Sequence, residues 1–129
     1  MYNVTYTKDI VIVTFKNIPD DILYISKVFN LIKKNEINID LITKEMPIND
    51  KTGISFSFNR CDISKVVNII KDLKEVIPSL YTEILSDVTK ITYKYEESNF
   101  NIFEILNKEY PNSKIISKGE NEISIWINN

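Results

Sequence analysis

Two places in this 129-residue chain put carboxylates side by side, Asp20-Asp21 and Glu96-Glu97. Paired acids suit general acid–base chemistry when their environments drive the two pKa values apart. That chemistry needs company, and the chain offers little. It has no histidine, which removes the commonest general base and the commonest metal ligand together. The one cysteine, Cys61, follows Arg60 and precedes a helix start, a setting that can activate a thiol. A small side chain tucked under a helix is the simpler expectation. One cysteine builds neither an intramolecular disulfide nor a thiolate metal site. The only glycines, Gly53 and Gly119, stand far apart, whereas phosphate-binding loops need glycines in cluster so that backbone can approach the anion. No catalytic residue, metal or cofactor is expected, and adjacent acids on a turn read as solvated.

Composition sets the frame for any other function. Hydrophobic residues make up 43% and charged residues 26% of the chain, enough for a genuine core. The net charge is −2, and Lys33-Lys34 is the only adjacent basic pair, so nothing points to nucleic acid. The start, "MYNVTYTKDI", lacks a basic segment followed by an apolar core. No apolar run approaches the ~18 residues that a membrane helix needs. A reducing, cytoplasmic setting is expected.

Periodicity supplies the elements that would position a site. "NVTYT" (3–7) alternates as a short strand, and "DIVIVTFK" (9–16) is a β-branched strand. Pro19 ends it, and Asp20 is expected to cap a helix. In that helix Ile22, Ile25, Val28, Phe29 and Ile32 keep helical spacing, with Lys33 and Lys34 at its end. Residues 37–46 alternate Ile37, Ile39 and Leu41 against Asn38, Asp40 and Ile42. "INDKTG" (48–53) reads as a turn and "ISFSFN" (54–59) as the returning strand. A second helix places Ile63, Val66, Val67, Ile70 and Leu73 on one face, before a strand at 81–85. This order, β-α-β-β-α-β, is the ferredoxin-like unit. A partial repeat follows: a strand at 88–95, a helix at 98–110 with Phe100, Phe103 and Leu106 inward, and strands at 113–117 and 121–127 around Gly119. The repeat lacks a second helix and a last strand, and strand 3–7 can supply the strand.

Four of these segments resemble, in order, the C-terminal regulatory region of bacterial aspartokinases: "NVTYTKDIVIVTFKNIPD", "KVFNLIKKNEINIDLI", "ISFSFNRCDISKVVNII" and "IISKGENEISIWI". The resemblance spans nearly the whole chain. It implies an α+β fold of two ferredoxin-like ACT units, one over residues 9–86 and a shortened one over residues 1–8 plus 87–129, the first inserted into the second. It also implies regulation rather than catalysis, a homodimer, a partner kinase, and an amino-acid effector, lysine or threonine.

Carried over to this sequence, the resemblance places Asp20 at the family's loop acid, Ile22 and Leu23 in the amide-bearing turn, and Asn38 and Asp40 on the ligand-facing strand. Helix-start amides would hold an α-carboxylate, and acid or amide oxygens would hold an ammonium. Two departures bear on binding. Leu23 stands where the family has glycine, and Asp21 adds a negative charge beside the carboxylate position. Lys44 stands for a family glutamine and reads as a solvated lysine. The second loop, "YEESNFN" (95–101), is acidic and glycine-free, so its site is expected to be lost. The bland reading of Asp20 is a helix cap, and of Asn38 and Asp40 the wet face of a strand. An ACT pair without any ligand, kept for dimerisation or for a partner enzyme, is therefore the alternative.

Overall fold

The structure is a computed structural model that describes residues 2–96 and 101–129. Its elements are β1 (Tyr2–Pro19), α1 (Ile22–Lys34), β2 (Ile39–Lys44), β3 (Lys51–Asn59), a short 3-10 turn (Arg60–Asp62), α2 (Ile63–Val76), β4 (Tyr81–Tyr95), α3 (Ile102–Glu109), β5 (Lys114–Lys118) and β6 (Glu122–Asn128). The strands are hydrogen-bonded in the order β2-β3-β1-β4-β6-β5. The β2–β3, β4–β6 and β5–β6 pairs are antiparallel.

Contacts divide the chain into two compact units. Val11–Ser86 forms an inserted unit, and Ile10 with the residues before it joins Asp87–Asn129 in a flanking unit. The strands foreseen at 3–7 and 9–16 are one strand here, and those at 81–85 and 88–95 are another. Each long strand carries an aspartate in the left-handed region where the sequence had suggested a break, Asp9 at φ 59° and Asp87 at φ 62°. Such a residue inside a strand marks a bulge, which shifts the alternation of faces by one. Tyr2 and Val4 pack on the flanking unit's core, and Val11, Val13 and Phe15 line the inserted unit's core.

In the inserted unit the core is built on three phenylalanines whose rings meet at a tilt, with interplanar angles of 49° and 42°. Phe15–Phe56 and Phe56–Phe58 ring centroids both lie 5.7 Å apart. Val28 and Ile32 of α1 and Val66, Ile69 and Leu73 of α2 close over them. Helix faces differ from the expected ones. Ile22 and Phe29 were expected inward and are exposed, because α1 turns Tyr24, Ile25, Val28, Leu31 and Ile32 to the core instead. Val67 is exposed for the same reason, with Ile69 inward in its place. Strand β2 shifts register between Ile39 and Leu41. Ile42 therefore packs with Ile39 on the core, where simple alternation would have put it outside.

Local geometry explains where the elements stop. Ile48 and Lys51 exchange backbone hydrogen bonds of 2.8 and 3.0 Å across Asn49 and Asp50, which both have positive φ (53° and 62°). That is a two-residue hairpin turn of the kind the strand twist favours, shorter than the 48–53 turn foreseen. Helix α1 ends on Glu36 at φ 54°, with Glu36 N–H donating to Lys33 O and Ile37 N–H to Ile32 O. This is a Schellman end, with buried Ile37 as its apolar contact. A side chain at that φ costs about 1 kcal/mol, so Glu36→Gly is expected to raise stability by roughly 0.5–1 kcal/mol in urea unfolding.

Among its described residues the flanking unit has one helix, α3. Ile102 and Leu106 of α3 pack on Ile91, Tyr93, Tyr95, Ile123 and Ile125. Phe103, expected inward, is 48% exposed. It stands beside Lys118, whose Nζ lies 6.0 Å from its ring centroid. The expected inward position of Phe100 lies outside the described residues, as does Glu97 of the second acid pair.

Candidate functional site

The loop between β1 and α1 is set by its own side chains. Asp21, not Asp20, is the N-cap: its Oδ1 accepts the Leu23 amide at 2.9 Å, and its carbonyl accepts from Tyr24 and Ile25. Asp20 stands one residue outside the helix and looks to the β2–β3 hairpin. Its backbone N–H donates to Asp50 O at 2.9 Å, and its carboxylate meets Lys44 Nζ at 3.1 Å. Lys44 is thus not simply solvated. The hairpin turn brings it, with Asp50, onto the loop.

The remaining site residues divide. Ile22 and Leu23 point their side chains outward, 78% and 58% exposed. Asn38 is exposed just before β2. Asp40 is exposed at the register shift, and its Oδ2 accepts from Ser57 Oγ at 3.4 Å. The loop and hairpin therefore bring Asp20, Lys44 and Asp50 together, a set of which the sequence flagged only Asp20 as a site residue. A charge-complementary lysine on the neighbouring hairpin was the available signal for Lys44. Two further exposed apolar residues, Met46 (85%) and Ile48 (73%), lie on the hairpin between Lys44 and Asp50.

What can this arrangement bind? The loop offers an ammonium position at Asp20, already held by a lysine of the same chain. Its anion position is held by Asp21. The Asp20–Lys44 pair is part-exposed, with side chains 29% and 39% accessible, so Lys44→Ala is expected to change stability by less than about 1 kcal/mol. Asp21→Ala removes a cap and should cost about 1 kcal/mol, seen as a lower denaturation midpoint at unchanged slope. Cys61 was expected under a helix and is exposed instead. Its amide donates to Asn59 Oδ1, so a side-chain cap on the 3-10 turn sets the backbone there and leaves the thiol outside.

In the flanking unit a different polar group gathers. Tyr93, with no exposed surface, donates to Glu109 Oε2 at 3.1 Å, and Tyr2 donates to Oε1 at 3.5 Å. The Tyr6 and Tyr110 hydroxyls are 3.4 Å apart. Burial first, then the bond to Glu109, raises the Tyr93 pKa above its ordinary value. The bond to Tyr6, then burial, pushes Tyr110 up to about 12.

The regulatory subunit of aspartate kinase from Thermus thermophilus, in its ligand-free form, aligns with 97% of this chain and 86% of its own at a TM-score of 0.75 and 18% identity. The fold is that of an aspartate kinase regulatory subunit. The regulatory subunit from Thermus flavus aligns over 96% of this chain and 86% of its own (TM-score 0.78, 17% identity). The aspartate kinase from Synechocystis matches 97% of this chain with 23% of its own length (TM-score 0.78, 19% identity), so the regulatory-subunit fold also occurs inside a longer kinase chain. No protein-family model matches the chain, and no curated protein matches its sequence. Within this regulatory-subunit fold the described residues hold no cluster of three His, Cys, Asp or Glu that could grip a metal. No helix among them is long and apolar enough to cross a membrane.

Proposed function

We propose that the chain is a non-catalytic regulatory module of two ferredoxin-like ACT units, residues 9–86 and residues 1–8 with 87–129, that works by assembly in the cytoplasm. It pairs with a second copy of itself or acts on an aspartate kinase chain in trans. One observation carries this reading: the loop that would grip an amino-acid effector is engaged by the chain's own groups. An effector carboxylate needs free amides at a helix start. Here the Leu23 amide is held by Asp21 and the Asp20 amide by Asp50. The Asp20 carboxylate is held by Lys44. Exposed Ile22, Leu23, Met46 and Ile48 flank these bonds, an apolar set suited to burial against protein. Light scattering across a concentration series tests this. A dimer that Leu23→Lys converts to monomer is the expected result. A monomer at every concentration, with no retention by aspartate kinase, overturns it.

A second reading keeps lysine or threonine as effector at Asp20, with Asn38 and Asp40 lining the site. The Lys44 contact supports it in one respect, because the Asp20 carboxylate already faces one ammonium, at 3.1 Å. Free lysine would then displace Lys44 and raise the melting temperature, since a ligand bound only by the folded state stabilises it. Asp20→Ala would abolish that shift. No shift with any amino acid leaves assembly as the function.

A further inference from the structure

We propose that the flanking unit carries a ligand site of its own, for a free purine nucleoside monophosphate, with the base on Trp126 and the phosphate on Lys114. The site is the groove between the turn that follows α3 and the β5–β6 pair. This goes beyond the assembly reading and does not rest on it.

The groove has a volume of about 480 Å³, and Tyr110, Asn112, Lys114, Trp126 and Asn128 are among the residues that line it. All of them belong to one unit. Spaces of about 300–1,000 Å³ hold whole small molecules, so there is room for more than a single oxyanion.

Charge decides the first property of the occupant. Lys114 is exposed and makes no ion pair or hydrogen bond among the described residues. It is the only base in the lining, and Glu109 is the only acid. The Glu109 carboxylate is turned away, accepting from Tyr93 and Tyr2, neither of which lines the groove. The Tyr110 carbonyl, just past the helix end, is also engaged: it accepts from the Ser113 N–H at 3.1 Å and the Ser113 Oγ at 2.8 Å. Lys114 is therefore the charge left to meet a ligand. The occupant is an anion, and an ammonium group would find no free carboxylate.

Shape decides the second. Trp126 is the cross-strand partner of Lys114 and is half-buried. Paired positions on neighbouring strands stand about 5 Å apart, so an anion on Lys114 lies next to the indole. Tyr110 adds a second aromatic edge to the same space. An indole stacks on flat rings, and nucleobases stack on such platforms whatever their sequence. The polar rim decides the third. Asn112 and Asn128 are exposed, and their amides make no hydrogen bond among the described residues. Each amide offers donors and an acceptor together, which is what the edge of a base asks for and a simple aromatic acid does not. One free cation matches one phosphate, which favours a mononucleotide over a strand.

Trp126 is the only tryptophan of the chain, so its indole N–H gives a single NMR signal that reports on this groove. Adenosine and guanosine monophosphate are titrated to ~10 mM, a range that reaches millimolar affinities. A saturable movement of the indole signal is expected. Adenosine, which lacks the phosphate, should bind about tenfold more weakly or worse, and so should adenosine monophosphate to Lys114→Met. Lys114 is exposed, so that change leaves the core intact. Ribose phosphate, which lacks the base, should leave the indole signal in place. Asp20→Ala should not alter the titration, and light scattering of the same samples reports assembly independently. The proposal is overturned by the absence of any saturable movement, by equal binding of adenosine, or by equal binding in Lys114→Met. It is overturned as well by loss of the response in Asp20→Ala, by a response to phenylalanine as strong as to the nucleotides, or by tighter binding of a single-stranded oligoadenylate than of adenosine monophosphate.

Discussion

Phe56→Ala is expected to lower the unfolding free energy by about 3–5 kcal/mol. Phe56 is 1% exposed and packs at a tilt against Phe15 and Phe58, with both pairs of ring centroids 5.7 Å apart. Truncation removes both ring contacts and leaves a cavity between a sheet and two helices, and neither side can collapse into it without breaking ladder hydrogen bonds. Whole-domain stability is commonly about 5–15 kcal/mol, so the loss is roughly a fifth of it or more. Thermal unfolding followed by circular dichroism should show a midpoint lower by roughly 10–20 °C. Phe29→Ala is the control. Phe29 is 43% exposed on the outer side of α1, and the same truncation there should cost less than about 1 kcal/mol. Equal losses at the two positions would mean that the core does not lie where Phe15, Phe56 and Phe58 place it.

The contrast between these phenylalanines shows what the sequence could and could not say. Periodicity found α1 and α2, because both helices carry apolar residues at three- and four-residue spacing. It misassigned their faces. α1 has apolar residues on more than one side, and counting from Ile22 selects Phe29, whereas tertiary packing selects Tyr24, Ile25, Val28, Leu31 and Ile32. Ile22 and Leu23 are exposed and add nothing to that core. Strand boundaries failed differently. A change of parity between "NVTYT" and "DIVIVTF" reads as two strands, yet one strand with a left-handed aspartate reproduces the same pattern. Asp is among the side chains that tolerate that conformation, so Asp9 and Asp87 were visible as residues but not as bulges.

The site was legible only where it is local. The cap at the start of α1 could be foreseen from two adjacent acids, with its position wrong by one residue. Which acid caps depends on where Pro19 releases the chain, and the Pro19 carbonyl takes the Asp21 amide at 2.8 Å. The partners of Asp20 could not be foreseen. Lys44 lies 24 positions along the chain, and it reaches the loop because Asn49 and Asp50 accept positive φ and fold the hairpin back. A tight turn without glycine gives a weak signal, and so the residues that close the loop went unrecognised. The flanking unit's tyrosines were missed for a related reason. Each looks like core or surface alone, and only the fold collects Tyr2, Tyr93 and Glu109 from three elements.

Those tyrosines give the second large effect. Tyr93→Ala should cost about 3–5 kcal/mol, the range for a fully buried aromatic ring, while Tyr93→Phe should cost only about 1 kcal/mol. The ring and its tilted contact with Tyr2, centroids 5.5 Å apart, survive the second change. What is lost is one hydrogen bond to a carboxylate, and Glu109 is exposed enough for water to replace the donor. The pair of variants therefore separates packing from polarity at one position. Alkaline pH separates them again. A tyrosine pKa raised in the folded state contributes stability that is fully present below the unfolded value of about 10 and is lost as pH rises through the folded value. Tyr110, pushed up to about 12, sets the measurable window between pH 10 and 12, and Tyr93 extends it upward. The wild-type melting temperature should fall across that window, and Tyr110→Phe should flatten the fall. Tyr93→Phe should remove one delayed step from the tyrosinate absorbance titration. A melting temperature that stays level from pH 9 to 12 would mean that neither hydroxyl is bonded as described.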